Sequence, residues 1–409
     1  MNRSIFAIWA LSLASLLQSQ NLPSLLTDSN INSTFAIVAY DEDSQEWGVA
    51  VATNNICVGN STIYIKPGLG AFAVIADTEP AYATQGFEKL AEGRSIEEAI
   101  VETSVNDKRS HYRQVAGIDA QGNTFAYTGS ALKYWNGKAG TITGTHYVDL
   151  GNQLAEEVLS SMSVAFENTE GPLAQQLLQS LLAGQKAGGQ ISGKQSAAIV
   201  VKGTNNEWFN QIDLRVDHSL QPLEELATLM NYYYGRIQLN RSIYALRAGN
   251  QERAAEQLKT AETMLVGWTG IYPRIAKVHI AMGNEDAAVD WIKKGLAESR
   301  NWSVYLPAFY CLKDHPELQS IILPDSFSVQ DWENAIDMLS TLGKELEVIE
   351  IAEGLLAKDL QSSYLHYLLG RSYYYEKEED KAITHLENAL EMDQDNVEAQ
   401  QLLKKIRKD

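Results

Sequence analysis

A threonine stands directly before an apolar run near the start of the chain, where residues 32 to 41 read NSTFAIVAYD. A threonine hydroxyl is a weak nucleophile, but a free α-amino group on the same residue, with a pKa of about 7.7–8.0, is a base within its reach. Thr34 at a new N-terminus would therefore combine nucleophile and base. It could attack an amide and form an acyl ester that water releases, while backbone N–H groups hold the developing oxyanion.

This chemistry requires a free amine on Thr34, and the residues before it predict export. Arg3 and the apolar run IFAIWALSLASLL are typical of a secretory signal peptide over residues 1–20, and the run is too short to span a bilayer. The mature chain is then periplasmic or extracellular, with no transmembrane segment. Residues 21–33 would form a linker or propeptide, so a second cleavage between Ser33 and Thr34 is required.

Other catalytic motifs are missing from the sequence. The histidines show no metal-ligand spacing such as His-Glu-x-x-His, and neither a Gly-x-Ser-x-Gly elbow nor a Walker or Rossmann glycine pattern occurs. The acidic run at residues 41–43 lacks the ligand spacing of a calcium loop and predicts a solvated hairpin turn. We therefore expect no metal site and no cofactor.

Length and charge limit the class of protein. The chain has 409 residues, 45% of them hydrophobic and 21% charged, which is typical of folded globular domains and allows two or three of them. A net charge of −19 would repel a phosphate backbone, and the basic C-terminal run KKIRKD is best explained as a charged last helical turn. We expect no nucleic-acid partner.

The first half of the chain predicts strands around a helical middle. FAIVAY and WGVAVAT flank one turn, GAFAVIA adds a strand, and RQVAGID and NTFAYTG flank a second turn. Helices are predicted at about Phe87–Glu92, Ile96–Val105 with Ser95 as N-cap, Asn152–Phe166 and Pro172–Ala187. SAAIVVKG and FNQIDLRVD then return to strand. This order favours an α+β layered sandwich over a doubly wound parallel sheet.

From Leu223 onward the chain reads as almost continuous helix with an internal period. Small and apolar positions recur after 34 residues, where Gly249, Ala254, Leu258 and Ala261 are followed by Gly283, Ala288, Ile292 and Gly295. That period is typical of tetratricopeptide repeats. Another copy contains Leu369, Gly370, Tyr373, Ala382, Leu386 and Ala389, with Gln394 where the consensus has proline. The prolines of YLPAFYCLKDHPELQSIILPDS interrupt the period, as a degenerate repeat or a connection.

We therefore predict an all-α repeat domain over residues 223–409. The concave face of such an array normally binds a peptide or a helix of another protein. The sequence does not identify that partner.

A series of short motifs runs through residues 34–217. They read FAIVAYD, GVAVAT, VG, GLGA, EGRSIEEAI, RQVAGIDAQGN, YTGS, GNQLAEEV, AGQKAGG, GKQSAAIVV and DLRVD. In this order they resemble the bacterial domain-of-unknown-function 1028 family, which is placed with the N-terminal nucleophile (Ntn) hydrolases. The resemblance implies a four-layer αββα sandwich over residues 34–218 with a threonine or serine at the start of the first strand. Thr34 occupies that position.

Other polar residues in these motifs are candidates for substrate binding. A Lys-Gln-Ser cluster that enters an apolar strand could polarise a carbonyl or anchor a substrate, or it could be a turn that satisfies strand ends. The candidates are Lys194, Gln195, Ser196, Asn152, Arg113 and Gln114.

The chain also departs from the family pattern. Members carry Ala-Thr-Gln-Ala where residues 73–76 read AVIA, so that Val74 and Ile75 replace two polar groups. They favour Gly-Gly-Asp and a basic pair where Gln190, Ile191 and Ser192 stand. If these positions line the pocket, this chain has changed substrate or lost activity.

Two hypotheses about function follow. In the first, the chain is an exported Ntn-type hydrolase of a small amide or peptide-like substrate, with Thr34 as nucleophile and helical repeats that recruit a partner. In the second, it is a non-catalytic binding or scaffold protein built on an inactive Ntn-like domain, and Thr34 is a β-branched residue that packs well at a strand start. The sequence leaves both open.

Overall fold

The computed structural model describes residues 33–207 and 210–407. The chain divides into two compact units, one ending at Asn231 and the other beginning at Tyr232. The predicted signal peptide, and the predicted linker as far as residue 32, lie outside the described residues.

Two antiparallel sheets form the centre of the first unit. Their strands are β1 (Thr34–Asp41), β2 (Glu46–Thr53), β3 (Ile63–Lys66), β4 (Gly70–Ala76), β5 (Arg113–Asp119), β6 (Thr124–Thr128), β7 (Lys138–Gly144), β8 (Tyr147–Leu154), β9 (Ser196–Gly203) and β10 (Ile212–Val216). Within the described residues, the larger sheet has the order β10-β9-β2-β1-β8-β7 and the smaller sheet the order β3-β4-β5-β6. β1 therefore pairs with β2 on one side and with β8 on the other.

Two helix pairs cover the outer faces of the sheets. α1 (Ala81–Ala91) and α2 (Ile96–Asn106) pack on the smaller sheet, and α3 (Val158–Asn168) and α4 (Leu173–Lys186) pack on the larger one. Ser95 caps α2 as predicted, because its hydroxyl accepts a hydrogen bond from Glu98 N–H while the Glu98 carboxylate accepts one from Ser95 N–H. The resulting order of helix, sheet, sheet and helix confirms the predicted αββα sandwich.

The core between the sheets explains why β1 is a continuous apolar run. Ala36 and Val38 belong to the core between the two sheets. On the opposite face, a Cβ at Gly184 of α4 would lie 3.4 Å from the ring of Phe35, so this face packs closely on the helix layer. Because both faces of the strand are covered, alternation of apolar and polar residues is lost.

The β7–β8 hairpin differs from the sequence prediction, which placed a helix over about Asn152–Phe166. Residues Tyr147–Leu154 form β8, and α3 begins only at Val158. β8 carries Asp149 and Asn152 within the sheet, and both are fully buried. The prediction was wrong there because polar residues at buried positions interrupt the apolar pattern that identifies a strand.

Asp149 is an unusual buried acid. Within the described part of the chain, neither of its carboxylate oxygens has a hydrogen-bond partner. Burial first, and then the negative charge of Glu167, raises the pKa of Asp149 well above its ordinary value. A raised pKa in the folded state means that the folded chain retains a proton that the unfolded chain loses at lower pH, so Asp149 lowers stability as the pH rises.

We expect Asp149→Asn to raise the denaturation midpoint of the first unit at pH 7. The gain should grow as the pH rises above about 4, the pKa of an unfolded aspartate, because asparagine has no proton to lose. Denaturant unfolding at several pH values measures it. Asp43→Asn, in the exposed turn after β1, is the matched control and should leave the midpoint nearly unchanged. A gain that is the same at pH 4 and pH 8 would contradict the raised pKa of Asp149.

The rest of the chain is helical, as the sequence predicts. The helices are α5 (Pro222–Arg247), α6 (Gln251–Met264), α7 (Tyr272–Ala281), α8 (Glu285–Glu298), α9 (Val329–Thr341), α10 (Glu345–Leu356), α11 (Ser363–Tyr375), α12 (Glu379–Met392) and α13 (Val397–Ile406). Residues Arg300–Leu312 instead form 3-10 turns that include Pro307. The proline-rich middle stretch is therefore a packed connection, with Trp302 and Phe309 in the core of the unit.

Positive backbone φ angles mark the start of four helices in this unit. Gly249, Gly283, Gly343 and Lys377 have φ of +74°, +77°, +72° and +64° and precede α6, α8, α10 and α12. The first two stand 34 residues apart, and so do the last two. The pair α9–α10 therefore belongs to the same series, although the small and apolar positions that define the period do not reveal it. The connection between α8 and α9 interrupts the 34-residue spacing. The pair α9–α10 is therefore out of register with the repeats before it.

Two histidines meet inside the last repeat. Nδ1 of His366 on α11 lies 3.1 Å from Nδ1 of His385 on α12, and the ring of His385 stacks on Tyr373. Burial lowers the pKa of His366. Burial, and then the neighbouring His366, lowers the pKa of His385 against a smaller opposing effect of Glu353. The folded structure therefore favours the neutral form of both imidazoles, and the pair stabilises the last repeat more at neutral than at acidic pH.

The stability of α11 and α12 should fall between pH 7 and pH 5. Unfolded histidine takes up a proton near pH 6.5, whereas the folded pair takes it up only at lower pH, so stability is lost as the pH falls through this window. Hydrogen exchange of peptides from α11 and α12 at the two pH values measures the loss. His385→Phe keeps the stacked ring and should reduce it, while His111→Asn, at an exposed site, should not. Equal losses in both variants would contradict the prediction.

Candidate functional site

Thr34 begins β1 inside the larger sheet. It pairs with Thr53 at the end of β2 and with Asn152 of β8, and Thr53 pairs in turn with Ser196 of β9. These four residues form a polar row across four strands, on the face that the larger sheet turns toward the smaller one. The row lies at the end of the apolar core between the sheets. The antiparallel pairing alone therefore brings residues from four distant parts of the chain together.

The peptide bond between Ser33 and Thr34 is held by the polar row and the loop after β2. The carbonyl oxygen of Ser33 accepts hydrogen bonds from Thr53 Oγ1 at 2.8 Å and from Asn54 N–H at 3.2 Å. The amide of Ser33 donates to Asn54 Oδ1 at 3.1 Å. Two donors on one carbonyl oxygen form the geometry of an oxyanion hole.

The hydroxyl of Thr34 lies 2.9 Å from the hydroxyl of Thr53. A hydroxyl has one proton, and that of Thr53 is directed to Ser33 O, so the proton between the two threonines comes from Thr34. Thr53 Oγ1 also accepts a hydrogen bond from Asn55 N–H at 3.3 Å. The result is a directed chain from Thr34 Oγ1 through Thr53 Oγ1 to the carbonyl oxygen of Ser33.

A small cavity of about 60 Å³ opens beside this chain of hydrogen bonds. Its described lining residues are Thr34, Thr53, Asn55, Ile56, Val58, Ser61, Thr62, Ile75, Ala76 and Thr78. Five of them carry hydroxyl groups, and none carries an ionisable side chain. The nucleophile candidate thus faces a polar but uncharged space.

Three residues around Thr34 adopt left-handed backbone conformations without being glycine. Cys57, Ala76 and Gln153 have φ angles of 54°, 66° and 54°. Ala76 lines the cavity, and the carbonyl oxygen of Gln153 accepts a hydrogen bond from Ser33 Oγ at 3.3 Å. Such conformations cost of order 1–3 kcal/mol each and persist where the surrounding structure holds them. Their concentration here supports a functional role for the site.

Asn152 and Gln114, two of the predicted substrate-binding residues, contact each other between the sheets. Asn152 Nδ2 donates to Gln114 Oε1 at 3.1 Å, and Gln114 Nε2 lies 3.0 Å from the carbonyl oxygen of Gly151. Both side chains are fully buried. Gln114 therefore connects β5 of the smaller sheet to β8 of the larger one, directly beside Thr34.

The Lys-Gln-Ser cluster divides between the interior and the surface. Ser196, in the polar row, donates to Asn55 O at 2.6 Å and accepts from Val58 N–H at 3.1 Å, so it holds the loop that lines the cavity. The side chain of Gln195 contacts His218, and Lys194 Nζ lies 3.4 Å from the Glu224 carboxylate. Neither Lys194 nor Gln195 lines the cavity.

Arg113 lies in a charged network behind the cavity. Its guanidinium contacts the carboxylates of Asp77 at 3.0 Å and Asp107 at 2.8 Å. Burial disfavours the charge on Asp107, but hydrogen bonds from Arg113 and from Arg109 N–H outweigh it and lower the pKa of Asp107. The same carboxylates raise the pKa of Arg113 against the effect of its burial. Arg113 therefore stays charged and committed to these acids.

Two departures from the family pattern also fall at the site. Ile75 lines the cavity, and the hydroxyl of Ser192 accepts a hydrogen bond from Asn54 Nδ2 at 2.9 Å. Sequence reasoning missed Thr53 and Asn54. A signal for Thr53 existed, because β1 and β2 have eight residues each around a four-residue turn, which pairs the first residue of β1 with the last of β2.

The described residues contain no group of three or more His, Cys, Asp or Glu side chains that could hold a metal ion. Among the helices of residues 33–207 and 210–407, none combines the length and the apolar character needed to cross a bilayer.

Comparison with known proteins finds one family model and several similar solved structures. Residues 34–226 match the model of a family of unknown function, DUF1028. Among solved structures, the chain is similar to protein SPO2555 from Silicibacter pomeroyi, a DUF1028 protein, with 29% identity and a TM-score of 0.45 over 48% of this chain and 84% of that one. No curated protein matches the chain. The family resemblance drawn from the motifs is confirmed.

Two further solved structures are similar to parts of the chain. One is the TPR domain of P58(IPK), with 17% identity and a TM-score of 0.22 over 42% of this chain and 55% of that one. The other is Anbu (ancestral beta-subunit) from Yersinia bercovieri, with 13% identity and a TM-score of 0.25 over 52% of this chain and 96% of that one.

Gln114→Leu should lower the free energy of unfolding of the first unit by about 2 kcal/mol. The change leaves Asn152 Nδ2 and the carbonyl of Gly151 buried without their partner, and an unsatisfied buried polar group costs about 1–3 kcal/mol. Denaturant unfolding measures the difference. Gln85→Leu, at an exposed position of α1, is the matched control. Equal free energies of unfolding for the two variants would contradict the role of Gln114 as a bridge between the sheets.

Proposed function

We propose that this chain, which carries a DUF1028 domain over residues 34–226, is an exported threonine-nucleophile hydrolase of amide substrates whose helical repeats bind a peptide or protein. One observation carries the catalytic part. The carbonyl oxygen of Ser33 accepts hydrogen bonds from Thr53 Oγ1 and Asn54 N–H, beside the hydroxyl of Thr34. This geometry supports cleavage of the Ser33–Thr34 bond by Thr34 itself.

In the cleavage step, Thr34 Oγ1 attacks the carbonyl carbon of Ser33 and closes a five-membered ring. Its proton passes to Thr53 Oγ1, and Thr53 passes its own proton to the Ser33 oxygen, along the chain of hydrogen bonds. The C–N bond then breaks, the Thr34 nitrogen takes up the proton, and an ester joins Ser33 to Thr34 Oγ1. Water hydrolyses that ester and leaves a carboxylate on Ser33 and a free α-amine on Thr34.

The processed enzyme repeats this chemistry on a substrate amide. The α-amine of Thr34 accepts the hydroxyl proton, and Oγ1 attacks the substrate carbonyl. The groups that held the Ser33 oxygen, Thr53 Oγ1 and Asn54 N–H, are then available to the substrate oxyanion. The amine product leaves with the proton, and water releases the acid from the acyl ester. The same pocket thus serves processing and turnover.

Export and partner binding complete the proposal. Residues 1–20 have the composition of a secretory signal peptide, which supports a periplasmic or extracellular location. Repeated helix pairs such as α7–α8 and α11–α12 support recognition of a peptide or protein segment by the repeats.

A second candidate function is a non-catalytic platform for the repeats. The burial of the site favours it, since Ser33 is 0% and Thr34 5% exposed, and a substrate must reach Thr34. The two functions differ in one covalent event, the cutting of the Ser33–Thr34 bond.

The mature chain should begin at Thr34. Intact-mass measurement and N-terminal sequencing of protein expressed with its own leader determine the start. A chain beginning at Thr34 is the expected result of self-cleavage and hydrolysis of the ester. A homogeneous chain that begins near residue 21 and never converts would overturn the proposed mechanism and favour the platform.

Cleavage should depend on the two threonines in a graded way. Thr34→Ala should abolish it, and Thr53→Val should slow it about 100-fold, the order of effect expected when one oxyanion donor is lost. Thr53→Ser keeps the hydroxyl and should cleave at nearly the normal rate. Thr84→Val, at an exposed site on α1, controls for the substitution itself. Normal cleavage in Thr53→Val would remove Thr53 from the mechanism, and cleavage by a separate protease would continue in Thr34→Ala.

A further inference from the structure

The size of the cavity beside Thr34 limits what can enter it. Its volume of about 60 Å³ compares with at least about 10–15 Å³ for each enclosed water. There is room for about four to six non-hydrogen atoms. A long alkyl chain or an aromatic acyl group would not fit.

The charge of the cavity limits its ligand further. No lining residue among those described carries an ionisable side chain. Arg113 pairs with Ala76 in the sheet register, but its guanidinium is already committed to Asp77 and Asp107. A carboxylate that entered the cavity would lose its hydration without gaining a counter-ion. The cavity therefore disfavours acyl groups that carry a negative charge.

Three hydroxyl groups in the lining of the cavity can form hydrogen bonds with a ligand. Ser61, Thr62 and Thr78 line the cavity, and within the described residues their side-chain hydroxyls have no hydrogen-bond partner in the protein. Thr62 is only 4% exposed, so little of its side chain reaches solvent. A ligand group that reaches these hydroxyls can bond to them in place of solvent.

These observations, which rest on the proposed function, identify a substrate class. We infer that the enzyme hydrolyses amides of short, uncharged acyl groups that bear a hydroxyl or another hydrogen-bonding substituent, of about the size of 2-hydroxypropanoyl. The acyl group occupies the cavity, and the amine side faces outward past Ile56, which is 60% exposed. An apolar leaving group such as nitroaniline is compatible with that side.

The test is a panel of four p-nitroanilides offered to the full chain after its mass shows that it begins at Thr34. The acyl groups are 2-hydroxypropanoyl, acetyl, malonyl and octanoyl, and the readout is kcat/KM. The 2-hydroxypropanoyl anilide should exceed the malonyl and octanoyl anilides by about tenfold or more, a difference of about 1.4 kcal/mol in transition-state binding.

Two variants connect the preference to named residues. Thr62→Val should lower the ratio of 2-hydroxypropanoyl to acetyl hydrolysis several-fold, and the acetyl substrate reports whether the active site is still formed. Thr78→Lys adds a cation to the lining and should shift the preference toward malonyl. Thr84→Lys adds the same charge at an exposed position of α1 and should leave the preference unchanged.

The outcomes separate this inference from the proposed function. A processed chain that prefers malonyl or octanoyl, or that hydrolyses none of the four anilides, overturns the substrate class while self-cleavage stands. Equal shifts in Thr78→Lys and Thr84→Lys also overturn it. A chain that is never processed at Thr34 overturns the proposed function, and the substrate class with it.

Discussion

The pairing of β1 with β2 on one side and β8 on the other is the constraint on which the candidate site depends. It sets the polar row of Asn152, Thr34, Thr53 and Ser196 across the larger sheet. A shift of register by one residue would turn Thr34 to the face that packs on the helices. The same pairing fixes the position of the Ser33–Thr34 peptide, so that the proposed cleavage would need little rearrangement of the groups around it.

The position of the row at the end of the apolar core has consequences for its chemistry. Buried hydrogen bonds act more strongly than exposed ones because water does not compete, and the bonds to the Ser33 oxygen are of this kind. The cost is visible nearby in the left-handed backbone of Ala76 and Gln153. Arg109 and Arg113 pair with Asp77 and Asp107, so these four charges compensate one another outside the lining of the cavity.

The helical unit is stabilised differently, by contacts between helices that are close in sequence. Ala288 and Ala382 recur at the same point of their repeats and are fully buried. Some polar groups inside the unit have their partners on neighbouring helices. Glu262 accepts from His279 and Trp291, and although burial opposes its charge, these bonds lower its pKa. Many contacts between helices close in sequence therefore stabilise this unit, whereas the first unit depends on pairings between strands far apart in the chain.

Local pattern was sufficient for much of the structure. The 34-residue period identified the helical repeats, the capping residue Ser95 located the start of α2, and the ordered motifs identified the likeness to the DUF1028 family and the αββα layers. Local pattern failed at β8, where the buried Asp149 and Asn152 resemble surface residues. By itself the sequence determined most of the strands and helices and that Thr34 begins one of them. Only the tertiary structure decided that Thr53 and Asn54 hold the Ser33 carbonyl and that the cavity is uncharged, because those relations arise from strand register between residues far apart in the chain.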